Sequence, residues 1–411
     1  MNTTARDRYT AVIGLEVHAQ LSLKRKMFAP EAAVYGALPN TQVSAVSLAH
    51  PGTLPRINKR AIDLAIKMGL ACHSTITQEN LFARKNYFYP DLPKGYQITQ
   101  DKTPICQGGY LVIDTPHHSE KQIALERIHL EEDTGKSVHG LADGETLLDF
   151  NRAGTALIEI VTKPELRTST EAYHLLAEIR KLVRYLDICD GNMEEGSLRC
   201  DANISVMLRE TTTFGQRVEV KNMNSIRHVQ LAIEHEIDRQ IAVLEAGDVV
   251  MPETRTYHAP TNTTKALRTK ETANDYRYFP EPDLPPLIVH EAWITAIQQD
   301  MPLLPRACLR KFTDTYQLSD YDAAVLTEDR DTALFFESLC QHTPHYKAAA
   351  NWMLGPVKAY LNELTLAIDA FPLSPATLAA LVDLVAQGQL SFSVASQKLY
   401  PALLAQPHTQ P

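Results

Sequence analysis

The sequence predicts an α+β protein: an antiparallel, strand-rich region with flanking helices, followed by a small all-α region. Two patterns and one break carry this expectation. Apolar and polar residues alternate over the first two thirds of the chain, whereas from Glu291 onward apolar residues recur at helical spacing, as at Leu354, Val357, Leu361 and Leu364. Between the two runs Phe279-Pro280-Glu281-Pro282-Asp283-Leu284-Pro285-Pro286, which continues neither a helix nor a central strand and reads as a stiff linker. The expected domains are therefore residues 1–290 and 291–388, with a short segment, 389–411, left over. Of that segment, Ala405–Pro411 reads as a frayed tail.

The first strand, Ala11–Leu23, puts Ala11, Ile13, Leu15, Val17, Ala19, Leu21 and Leu23 on one face and Glu16, His18, Gln20 and Ser22 on the other. In Ile123–Asp133, Arg127, His129, Glu131 and Asp133 oppose Ile128 and Leu130. A helix follows the cap candidates Thr168, Ser169 and Thr170 and buries Leu175, Leu176, Ile179, Leu182, Val183 and Leu186. In Arg199–Leu208 the apolar set Cys200, Ala202, Ile204, Val206 and Leu208 faces away from Arg199, Asp201, Asn203 and Ser205, and Arg217, Glu219 and Lys221 repeat the split. A second helix buries Ile226, Val229, Ile233, Ile237 and Leu244.

Composition narrows the function. A chain of 411 residues is long enough for two or three cores. Its 40 Lys and Arg against 49 Asp and Glu give a net charge of −9, which argues against a generally basic nucleic-acid coat and confines any RNA contact to a local patch. No stretch approaches the roughly 18 uncharged apolar residues of a membrane span. Six cysteines without a CxxC pair, and an N-terminus lacking an apolar signal core, point to a reducing cytoplasm.

Carboxylates on the polar faces of four strands are the main chemical signal. The plain alternative is a solvated antiparallel sheet. Their recurrence beside His18, His129, Asn151 and Asn203 favours a hard cation, Mg²⁺ or Mn²⁺, whose usual partner is a phosphate held by cations such as Lys94, Lys136 and Lys221. The segment Arg84–Gln97, with its lysines, tyrosines and two prolines, offers cations and rings to phosphate and base, the plain alternative being a packed aromatic loop. There is no GxxxxGK[ST] or GxGxxG loop, so any nucleotide site is atypical. The lone cysteines read as core side chains, and no GxSxG or paired-serine amidase signature occurs.

Eight motifs, in order, carry a resemblance: Gly14-Leu15-Glu16-Val17-His18, Lys85–Gln97, His129–Lys136, Asp149–Gly154, Leu157–Val161, Gly196–Asn203, Val218–Ser225 and Asp275–Pro280. Together they closely resemble the family of B subunits of aspartyl/glutamyl-tRNA amidotransferases. The resemblance implies a β-rich cradle that uses ATP to phosphorylate the side-chain carboxylate of Glu on tRNA(Gln) or Asp on tRNA(Asn), before ammonia attacks it. It implies as partners an amidase (glutaminase) subunit that makes the ammonia from glutamine, a small third subunit that clasps the other two, and misacylated tRNA. The family's Mg²⁺ site maps onto Glu16, His18, Glu131 and, less tightly, Glu159, whose strand neighbours Leu157 and Val161 are apolar. The expected site thus comprises Glu16, His18, Glu131 and Lys94 for catalysis, and Lys85, Asn86, Tyr89, Asn203 and Lys221 against the nucleotide. Two departures follow from the same resemblance. Met27-Phe28-Ala29-Pro30 and Ser44-Ala45-Val46-Ser47 stand where many members carry cysteine pairs, so no structural zinc is expected. Residues 389–411 are expected to be the remnant of a tail domain that helps hold tRNA. The alternative function is a non-catalytic tRNA-binding or assembly subunit of the same complex.

Overall fold

The computed structural model describes residues 3–115, 120–140, 144–269 and 275–407. Of the tail expected from Ala405, residues 408–411 lie outside them. The chain forms two compact units, Met1–Met301 and Pro302–Pro411.

The first unit is built on β1 (Tyr9–Gln20), α1 (Lys59–Ala71), β2 (Ala83–Asn86), β3 (Tyr96–Thr99), β4 (Glu120–Glu132), β5 (Ala156–Thr162), α2 (Ser169–Tyr185), β6 (Leu198–Leu208), β7 (Val218–Met223), α3 (Ile226–Glu245), β8 (Glu253–His258) and β9 (Thr263–Thr269). A ten-stranded sheet runs in the order β9-β8-β7-β6-β1-β5-β4 and continues through Cys106–Gln107 to Thr75–Ile76, while Tyr110–Asp114 also pairs with β4. The sheet is antiparallel except where β7 meets β8 in parallel. That exception has a mechanical cause: α3 connects the two strands, and a helical crossover returns the chain in the same direction.

On one face of the sheet α2 and α3 pack together and against β6 and β1. Ile13, Leu15 and Val17 of β1 and Leu175, Leu176, Ile179 and Val183 of α2 are fully or almost fully buried. The helix starts where its first turn is capped: Thr168 accepts the Glu171 amide at 3.1 Å, and Ser225 accepts the His228 amide of α3 at 3.1 Å. The apolar stripe of α3 is interrupted by two fully buried polar residues, Glu236 and Gln240, and Leu244 is only half buried because Ile241 takes the inner position. Ile179→Ala should remove about 2–5 kcal/mol from the first unit in a urea titration, the range for emptying a packed aliphatic site. A loss below about 1 kcal/mol would mean that the α2 interface collapses around the gap.

The proline-rich run that reads as a linker is bound within the first unit. Phe279–Pro280 pairs with Ala83–Arg84, and the buried Glu281 carboxylate takes the Arg84 guanidinium at 2.7 Å through both oxygens. Proline suits this place because the paired strand is only two residues long and lies at an edge. The helix Glu291–Gln299 also lies in the first unit.

The second unit is helical. Phe312, Phe336, Trp352, Leu378 and Leu381 form its buried centre, with Phe312 and Phe336 ring centroids 5.0 Å apart. Pro356 sits in a π-type stretch, Met353–Val357, that joins Tyr346–Trp352 to Lys358–Leu364. No helix among the described residues is long and apolar enough to cross a membrane.

Candidate active site

The face of the sheet opposite α2 and α3 lines a cleft of about 840 Å³. Strand register composes it. His18 stands opposite Glu159 on β5 and opposite Arg199 on β6, and Glu159 stands opposite His129 on β4. One row therefore reads His129, Glu159, His18, Arg199 across four strands. Two residues back along β1, Glu16 faces Asp201 on β6, while Asn203 faces Glu219 on β7.

Two donor clusters result. His18, Glu131 and Glu159 each offer one ligand atom, all within 4.8 Å of one another, and Glu16, Asp201 and Glu219 form a second such group. In the first, His18 Nε2 lies 3.3 Å from Glu159 and 3.5 Å from Glu131, and His129 Nε2 lies 3.3 Å from the same Glu159 oxygen. Burial alone lowers the His18 imidazole, but Glu159 and Glu131 outweigh it and push it up to about 9. Burial likewise opposes the Glu159 charge, yet His129 and His18 hold its carboxyl well below the usual range. In the second cluster burial and the nearby Glu159 push the Glu16 carboxyl up, while Asn203 Nδ2 donates to Glu16 at 2.8 Å and limits the rise.

Cations ring these acids. A bulge in β7, with Asn222 at φ 64°, sets Lys221 against Asp201, and its ammonium also meets Glu219 at 2.9 Å. Arg199 pairs with the buried Asp133 at 2.8 Å. Although burial opposes it, Asp133 is held below the usual carboxylate range by Arg199 and Arg152. Lys85 lies 5.1 Å over the Tyr276 ring and makes no ion pair among the described residues. Burial disfavours its charge, but Glu131 and Glu159 raise its pKa.

Of the expected residues, Glu16, His18, Glu131, Glu159, Lys85 and Lys221 line the cleft, but Glu16 is separated from His18 and Glu131 into the second cluster. Asn203 orients Glu16. Lys94 is turned onto Glu132, which also accepts the Ile98 amide at 2.9 Å, so it braces β3 against β4. Asn86 donates to the Tyr276 and Arg277 carbonyls at 3.2 and 2.9 Å and fixes the segment that carries Tyr276. Tyr89 is exposed, edge-on to Tyr87. Asn151 binds the loop at Leu38–Gln42. Asp201 and Glu219 complete the second cluster, and their signal was the same strand alternation that singled out Glu16. All six cysteines are buried. Burial pushes Cys72 up to about 12, as expected of core thiols rather than nucleophiles.

The donor sets fit divalent cations. Three carboxylates suit a hard ion such as Mg²⁺, and a histidine with two carboxylates suits Mg²⁺ or Mn²⁺. The first set is free of lysine, whereas Lys221 already shares the second.

Comparison with known proteins agrees in extent. Residues 11–295 match the family described as the GatB/GatE catalytic domain, and residues 334–410 match the GatB domain. The B subunit of the aspartyl/glutamyl-tRNA(Asn/Gln) amidotransferase of Ralstonia nicotianae is 47% identical over 408 residues, covering 98% of this chain and 84% of its own. The corresponding protein of Myxococcus xanthus is 50% identical over 383 residues, covering 93% and 80%, and that of Salinibacter ruber is 46% identical over 421, covering 98% and 83%.

Proposed function

Because the chain belongs to the family of aspartyl/glutamyl-tRNA(Asn/Gln) amidotransferase B subunits, ligase components of tRNA-dependent amidation, we propose that its cleft activates the side-chain carboxylate of Glu on tRNA(Gln) or Asp on tRNA(Asn) by ATP-dependent phosphorylation. The observation that carries this reading is the convergence of two three-donor clusters and the cations Lys85, Arg199 and Lys221 on one cleft. In the first step a substrate carboxylate oxygen bonds to the γ-phosphorus as the bond to ADP breaks. In the second, ammonia attacks the acyl carbon and inorganic phosphate leaves with the former carboxylate oxygen.

The chain's work is to let two anions meet. Divalent cations held by His18, Glu131 and Glu159, or by Glu16, Asp201 and Glu219, supply charge neutralisation when bound. Lys85, unpaired and fixed over Tyr276, adds a positive charge whose counter-ions are the acids of the cleft and, in the complex, the transferring phosphoryl group. Asn203 holds Glu16 in place, and Arg199 is itself anchored by Asp133.

The source of ammonia is a separate amidase partner, with a small third subunit completing the assembly. The test uses the assembled complex with the amidase nucleophile disabled. Added ammonium should still give amide on misacylated tRNA, with one ATP consumed per amide, whereas glutamine should give none. Glutamine hydrolysis that survives the disabled partner, or amide formation without ATP, would overturn the proposal.

A further inference from the structure

A second cleft, of about 570 Å³, opens beside the first, and Met193 and Asn224 line both. Its cations come from two helices. Tyr173, Arg180 and Arg184 follow one another at seven and four residues on the outward stripe of α2, and Arg227 stands in the first turn of α3. The two α2 arginines are placed rather than loose, because their stems lie over Gly191. A Cβ at that position, which has φ +70°, would stand 2.9 Å from Arg180 Cγ and 3.2 Å from Arg184 Cγ. Their guanidinium groups have no carboxylate partner among the described residues, and Arg227 donates only to the neutral Gln230 amide at 2.5 Å.

The cleft contains two opposing carboxylates, Asp190 and Glu194. Asp190 is committed to its own turn, accepting the Asn192 amide at 2.9 Å and the Ser197 hydroxyl. Positive charge is therefore in excess. Like charges four residues apart, as at Arg180 and Arg184, also weaken a helix, a cost that an anion lying across both removes. Tyr173, 37% exposed at the end of the stripe, adds a ring face of the kind on which nucleobases stack.

We propose that this second cleft holds the phosphate backbone of the RNA strand whose aminoacylated 3′ end enters the carboxylate cleft, with Arg180, Arg184 and Arg227 on phosphates and Tyr173 against a base. The assignment rests on the function proposed above. It explains how a chain of net charge −9 gains a polyanion: a short basic track leads to the acidic site. Guanidinium groups suit the role because their paired donors match two phosphate oxygens.

The test is fluorescence anisotropy of an acceptor-stem minihelix with a single-stranded 3′ end, on the assembled complex, across a salt series, together with steady-state amidation of misacylated tRNA. The double variant R180A/R184A should bind about tenfold more weakly near physiological salt. It should also flatten the dependence of log affinity on log salt by about 1–2, since each lost phosphate contact accounts for about 0.7–0.9. KM for tRNA should rise, with kcat at saturating tRNA changed less than about twofold, and R180K/R184K should recover part of the affinity. Unchanged affinity and salt slope in R180A/R184A, with amide formation intact in the unsubstituted complex, would overturn the arginine assignment alone. Loss of a partner protein from the variant complex, with RNA affinity unchanged, would equally overturn it by making this face a protein interface. Absence of amide formation in the unsubstituted complex would instead overturn the underlying function.

Discussion

Glu159→Gln is expected to lower ATP-dependent amide formation by more than about a hundredfold while the protein stays folded. One carboxylate oxygen of Glu159 lies 3.3 Å from His18 Nε2 and 3.3 Å from His129 Nε2, so the substitution removes an anionic donor and the negative charge that both imidazoles face. Removing a residue that merely supports a metal ligand typically costs 10–100-fold, and Glu159 both donates and supports. Glutamine keeps the volume of a side chain that is only 11% exposed, so packing is conserved. Calorimetric titration with Mn²⁺ should show weakened binding in Glu159→Gln and in Glu131→Gln, with melting temperatures near that of the unsubstituted protein. Amidation near the original rate in both variants would refute the metal assignment and favour a non-catalytic role in assembly.

Glu16, His18 and Glu131 were legible in the sequence because alternation marks the polar face of a strand without any knowledge of its neighbours. Their grouping was not. Glu16 and His18 share a face of β1, but residues two apart in a strand are separated by about 7 Å, so adjacent strands divide them. The register gives His18 the acid Glu159 on β5 and the cation Arg199 on β6, and it joins the β5 and β4 acids. Glu16 meets the apolar Val161 on β5 and Asp201 on β6, so it joins the β6 and β7 acids. Glu159 was obscured for the opposite reason. Its strand is buried along nearly its whole length, and Leu157 and Val161 share its face, so no alternation announces it. Lys94 shows the remaining limit: a lysine close in sequence to a candidate site can spend its charge on a buried neighbour, here Glu132, and only packing reveals which acid it meets.

Replacing Glu236 with alanine should cost the first unit about 3–5 kcal/mol, without altering the chemistry of molecules that remain folded. The side chain is fully buried on α3, outside the cleft. It accepts from Arg239 Nη2 at 2.6 Å, from Gln240 Nε2 at 2.9 Å and from Thr264 Oγ1 at 3.0 Å, and Arg255 Nε lies 3.5 Å away. These bonds tie α3 to the edge strand β9 and its neighbour β8. A buried carboxylate so surrounded has already met its desolvation cost, and removing it alone strands the cations, which is why breaking such a group costs more than the group contributes. Glu253 remains beside Arg255 at 2.6 Å and Arg239 at 3.4 Å and keeps the loss toward the lower end. Urea titration gives the magnitude, and amide exchange should rise first in β8 and β9, the strands that lose their anchor. A loss under about 1 kcal/mol, or a fall in kcat with unchanged stability, would mean that Glu236 does not anchor the sheet edge and acts instead on the cleft through α3.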